Sequence, residues 1–62
     1  MMKSEHDFYS GIMAALDIVF LHDDPVIAGE ICELAGWDGV LAAAEETEYM
    51  HLSALREIRN AT

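Results

Sequence analysis

Glu48-Tyr49-Met50-His51 sets a carboxylate and an imidazole at E-x-x-H spacing. On a helix this spacing points both side chains to one side. Carboxylate-bridged metal centres in helical bundles use it, together with unpaired glutamates on other helices. A symmetric dimer supplies two such motifs, with Glu30 or Glu33 as the additional ligands. A metal-binding helical dimer is therefore one reading of the chain, with Glu48 and His51 as candidate ligands. The plainer reading is that Glu45, Glu46 and Glu48 form an acidic run, and that His51 is a core or interface histidine on an apolar face. A four-residue motif arises often by chance, so the plainer reading is preferred and no metal or other cofactor is expected.

The remaining reactive side chains are sparse. His22-Asp23-Asp24 offers oxygen ligands to a divalent cation, but a calcium loop needs more alternating ligands and a central glycine. Asp24 also has a structural use before Pro25. Ser4, Ser10 and Ser53 lack a strand–turn–helix elbow, and no cation neighbours Cys32 in sequence to activate its thiol. Gly11, Gly29, Gly36 and Gly39 match no phosphate-binding loop. A chain of 62 residues has little interior for a substrate pocket. No enzymatic activity and no catalytic residue is expected.

The elements that must carry these residues read as helices, with no strand signal. The first helix is predicted over about 5–21, with Ser4 as N-cap and Glu5 and Asp7 at the favourable end of the dipole. Phe8, Ile12, Ala15, Leu16 and Val19 recur on one face, and Tyr9, Met13 and Phe20 widen it. Ile18 and Leu21 fall on the other side. Asp17, alone on the wet side of this helix, reads as a solubility device. Asp24 as N-cap with Pro25 at the first helical position opens a second helix over about 25–35, with Ile27, Ile31, Leu34 and Ala35 inward. Gly36 ends it, and Trp37 is expected to fold back on its last turn. Asp38 is expected to cap a third helix over about 39–60, with a candidate break near Glu45–Thr47, and with Val40, Ala44, His51, Leu55 and Ile58 inward and Leu41 and Leu52 at the edge. The fold expectation is all-α: one small domain (1–62) built as a bundle of three helices and packed as a homodimer.

Composition selects among functions. Apolar residues make up 53% of the chain, which excludes a disordered tail. Acids number 12 against 3 bases, for a net charge of −9. Residues 4–55 hold every carboxylate except Glu57 and contain no Lys or Arg. Nothing there displaces counterions from phosphates, so neither nucleic acid nor an anionic membrane surface is an expected partner. A short helix, a Gly turn and a longer helix have a helix–turn–helix outline. Yet the start of the third helix, Gly39 to Glu46, offers no side chain for a phosphate and no Arg, Asn or Gln for a base edge. A single cysteine forms no internal disulfide, and Met1-Met2-Lys3 opens no signal peptide, so the expected compartment is the cytoplasm.

An acidic coat around surplus apolar faces remains. In size, charge and helix content the chain is similar to the very short acidic proteins with which phages and other mobile elements inhibit host machinery, anti-CRISPR proteins among them. Acidic antitoxins share the profile, although most add a basic DNA-binding part that is missing here. The likeness carries no motif, so no functional residue transfers. The expected function is a non-enzymatic protein-interaction module that binds and modulates another intracellular protein, with inhibition the favoured direction and a basic patch a candidate feature of the partner. A structural subunit of a larger assembly is a further alternative. The expected contact residues are Phe8, Tyr9, Ile12, Met13, Leu16, Phe20 and Trp37 as apolar anchors, with Glu45, Glu46 and Glu48 as the charged rim. Aromatic residues and Met are the types that interface cores favour.

Overall fold

Among the described residues four helices follow one another in sequence: α1 (Lys3–Leu21), α2 (Pro25–Ala35), α3 (Trp37–Glu46) and α4 (Leu52–Ala61). The computed structural model describes the backbone of residues 3–61 and the side chains from His6 to Ala61. All-α architecture is as the apolar spacing predicts, but the count is four rather than three. The candidate break near Glu45–Thr47 is a complete one. Thr47 caps α3, its hydroxyl and its amide both donating to the carbonyl of Ala43, at 2.9 and 3.1 Å. Glu48 then turns the chain at φ 53°, a left-handed conformation that ends any helix.

Other boundaries follow local chemistry. The Asp24 side chain accepts the amide of Ile27 at 3.1 Å, and Pro25 occupies the first turn, so α2 starts where its capping residues require. Gly36, at φ 102°, is at once the end of α2 and the N-cap of α3: its amide donates to Cys32 and its carbonyl accepts from Val40. Asp38 is therefore not the cap of α3. It sits in the first turn, where its charge still suits the dipole. Likewise α1 begins at Lys3, which places Ser4 inside the first turn; the side chains of Ser4 and Glu5 lie outside the described residues.

One core joins the four helices. Leu16 of α1, Ala28 and Cys32 of α2, Trp37, Val40 and Ala44 of α3, and Leu55 of α4 form it. Among the described residues α1 and α4 each contribute a single fully buried side chain, Leu16 and Leu55. Gly39 lets α3 approach α1, since a Cβ there would collide with the Tyr9 phenol ring. The predicted inward face of α2 is corrected by one residue of rotation. Ala28 and Cys32 point in, while Ile27 and Leu34 are exposed and Ile31 and Ala35 lie between. Small residues win because α2 sits close to α1, α3 and α4 at once and leaves no room for a β-branched inward stripe.

Candidate protein-binding surface

The expected contact residues divide into three groups. Leu16 is fully buried and Trp37 is 8% exposed, so both are committed to the core of the monomer. The Trp37 indole N–H donates to a Glu33 carboxylate oxygen at 3.1 Å, and the Arg59 guanidinium lies 5.5 Å over its ring. Tyr9, Ile12, Met13 and Phe20 are half-buried against that core. Phe8, 50% exposed, presents real surface, with its ring edge-on to Tyr9 at 5.1 Å. Glu45, Glu46 and Glu48 are exposed at the α3–α4 turn, and Glu45 pairs with Arg56 at 2.8 Å.

The turn also removes the helix on which the metal geometry depends. Glu48 and His51 flank a bend, outside both α3 and α4, and no longer project from one helical face. His51 instead stacks on Phe20, with centroids 4.6 Å apart, and meets the edge of Tyr49. Among the described residues no three His, Cys, Asp or Glu side chains are grouped to hold an ion, Glu30 and Glu33 included. Tyr49 fastens the turn to α1. Its hydroxyl lies 2.7 Å from an Asp17 oxygen and 3.0 Å from the Met13 carbonyl. It has one proton for two acceptors, and the shorter, charge-assisted contact to Asp17 takes it. Burial and this partner push the Tyr49 phenol above its ordinary range. Asp17 is thus a tether as well as a surface charge, a pairing across 32 residues that no local pattern signals.

Cys32 is buried, and burial pushes its thiol up to about 11, so the reactive thiolate is suppressed. Ser10 and Ser53 lie exposed on helices.

Sequence reasoning missed the exposed ridge of α2. Leu34 is 92% exposed and Val26 68%, with Ile27 beside them. At about 100° per residue, Ile27 and Leu34 lean to one side of the ridge and Val26 and Glu33 to the other, with Glu30 near the crest. A groove runs along each flank. On the α1 side, about 350 Å³ is lined by Phe8, Ile12, Ile31, Leu34 and Ala35, with no carboxylate. On the α4 side, about 450 Å³ is lined by Pro25, Val26, Gly29, Ile58 and Ala61 together with Glu30 and Glu33. The signal was present in the sequence: α2 is apolar nearly all round, which a helix buried on one face does not need.

No helix among the described residues is long and apolar enough to cross a membrane. No protein-family model, no curated protein and no solved structure matches the chain.

Proposed function

We propose that the chain is a non-enzymatic protein-interaction module that works as a homodimer and occupies a surface on another protein in the cytoplasm, in the manner of the small acidic inhibitors of mobile elements. The observation that carries this reading is the α2 ridge, where Leu34, Ile27 and Val26 stand in solvent, with Phe8 sharing the α1-side groove with Leu34. Large apolar side chains clustered on one surface of so small a domain mark a contact site. The chain is not loosely folded: its radius of gyration is 10.6 Å, about that of a compact domain of this length. Exposure of the ridge is a property of the folded monomer.

The carboxylate-free groove on the α1 flank suits a second copy. Two subunits of net charge −9 repel each other, and this groove lets apolar surface meet without burying an acid. In this reading Glu45, Glu46 and Glu48 are rim charges that steer a partner with a basic patch, and Glu57 and the α1 acids extend the same field. Sedimentation equilibrium tests the pairing. The wild type is expected to be a dimer at micromolar concentration and Leu34→Asp a folded monomer, because Leu34 carries no core load. A wild type that stays monomeric at hundreds of micromolar removes the homodimer. A tagged pull-down from the native host tests the partner: one stoichiometric protein, released by charge reversal at Glu45 and Glu46, is the expected result.

A further inference from the structure

We infer that the acid-rimmed groove between α2 and α4 is a docking site for a cationic amphipathic helix of the partner protein. The inference rests on the protein-interaction reading and names the chemistry of what is bound.

Three features of the groove point to this occupant. Its floor is apolar: Val26, Ile58, Pro25 and Ala61 contribute carbon, and Gly29 lets the Ile58 side chain pack close against α2. Along α2 it is lined from Pro25 to Glu33, a rise of about 12 Å and a little over two turns of helix. That length matches the i, i+4, i+7 anchors with which an amphipathic helix fills a groove. Its rim is anionic, because Glu30 stands exposed at the crest and Glu33 lines the wall.

Charge then decides between candidate occupants. A second copy of this chain would bring its own acids against Glu30 and Glu33. Like charges facing each other across a closing interface oppose association. Of the described residues, the two guanidinium groups are both on α4 and both engaged, Arg56 with Glu45 and Arg59 with Trp37 and Asp38. Neither offers a neighbouring copy a free positive face. A guest helix with Leu or Ile on one side and Lys or Arg along its flanks satisfies floor and rim together. Trp37 reports on its arrival, since the indole N–H is bonded to the same Glu33 carboxylate that lines the wall.

An 18-residue synthetic helix of Leu and Lys in amphipathic order is the probe, titrated against the wild-type chain at low salt and followed by Trp37 fluorescence. Saturable one-to-one binding is expected, at least tenfold tighter than for the same composition in scrambled order and absent for a Leu/Glu counterpart. Glu30→Lys and Val26→Asn are each expected to weaken it tenfold or more. Leu34→Asp, on the opposite flank, should leave it unchanged. All three sites are exposed, and circular dichroism checks that each variant is folded. Absence of binding, equal binding of the scrambled peptide, or loss through Leu34→Asp alone would overturn the assignment. A wild-type dimer dissolved by Val26→Asn makes the occupant a second copy, which also overturns it. Failure of the peptide with the Leu34-dependent dimer intact removes this groove and leaves the homodimer standing. A monomer that still takes the peptide removes only the pairing of copies.

Discussion

The two flanks of α2 share one helix and one core, yet they differ in a single chemical respect. The α1 flank is carbon throughout, from Phe8 to Ala35, whereas the α4 flank sets Glu30 and Glu33 over an apolar floor. On a chain of net charge −9 that difference is the basis on which we propose different partners for the two faces. A face without carboxylates can meet a copy of itself, and a face with them needs a cation from elsewhere. The small size of the domain produces both faces. Four short helices around Ala28 and Cys32 cannot enclose the larger apolar side chains of α2, so these are left on the ridge.

The comparison breaks first at the core, where the effects are largest. Leu16 is the fully buried residue of α1 and Leu55 that of α4. Leu→Ala at either position is expected to cost about 2–5 kcal/mol, a large share of the total stability of so short a chain. Urea denaturation measures the loss. Binding then tells the flanks apart: a surviving Leu55→Ala loses the peptide groove first, and a surviving Leu16→Ala loses the dimer groove first. Equal loss of both would mean that the flanks are one cooperative surface.

Next comes the alkaline limb of stability, since Cys32 lies beneath the ridge. Its thiol is raised from 9.0 to about 11 in the folded chain. Above pH 9 the unfolded chain releases that proton and the folded chain keeps it. The contribution is therefore whole below pH 9 and lost as pH rises to about 11. The full loss is roughly 2–3 kcal/mol. Urea midpoints at pH 8 and pH 10.5 should show a steep fall for wild type and a shallower one for Cys32→Ala. Tyr49, raised as well, accounts for the slope that remains above its ordinary value. Identical slopes for the two chains would show that the thiol does not report on the closed core.

Salt separates the flanks by sign. Added salt screens the repulsion between two subunits of charge −9, so the dimer should tighten or hold. The Lys-rich peptide should weaken, by about tenfold between 0.05 and 0.5 M. If both weaken together, the α1 flank is also held by charge, and the distinction between the faces fails.

Local chemistry explains which parts of this arrangement could be read from the sequence. The bounds of α2 were legible because Asp24, Pro25 and Gly36 are strong signals at both ends. The all-helical class was legible from apolar spacing. The break at Thr47–His51 was visible only as a hesitation, because a left-handed Glu48 has no sequence mark of the kind a glycine leaves. The same invisibility made E-x-x-H look helical. The inward face of α2 does not follow from side-chain size: Ala28 and Cys32 occupy the interior where three helices crowd, and Ile27 and Leu34 stay outside. Nor does size mark the anchors, since Leu16 and Trp37 are interior and Leu34 is the exposed one. Which helix face turns inward is set by neighbours distant in sequence, and no periodicity within one helix contains them.

The smallest expected effects come from two glycines, Gly39 at the contact of α3 with α1 and Gly29 on the α4 flank of α2, and they should differ in sign. Both lie within helices, where Ala in place of Gly gains about 1 kcal/mol of propensity. At Gly39 the new methyl would enter the Tyr9 ring, which is held between α1 and α3 and supports Phe8 of the dimer groove. Overpacking of that kind costs about 1–3 kcal/mol, so Gly39→Ala is expected to be destabilising by up to about 2 kcal/mol and to loosen the dimer. At Gly29 the new methyl meets only a side-chain methyl of Ile58, at 3.1 Å, on the wall of an open groove. Ile58 is half-exposed and has solvent to move into, so the propensity gain survives. Gly29→Ala is therefore expected to raise stability by up to about 1 kcal/mol, a few degrees in melting temperature for a domain of this size. The same methyl makes the α4 flank shallower, and peptide binding should weaken even as the fold becomes more stable. A Gly29→Ala chain that is less stable than wild type would mean that Ile58 is locked in place, and that the α4 flank is a closed seam of the core rather than a groove.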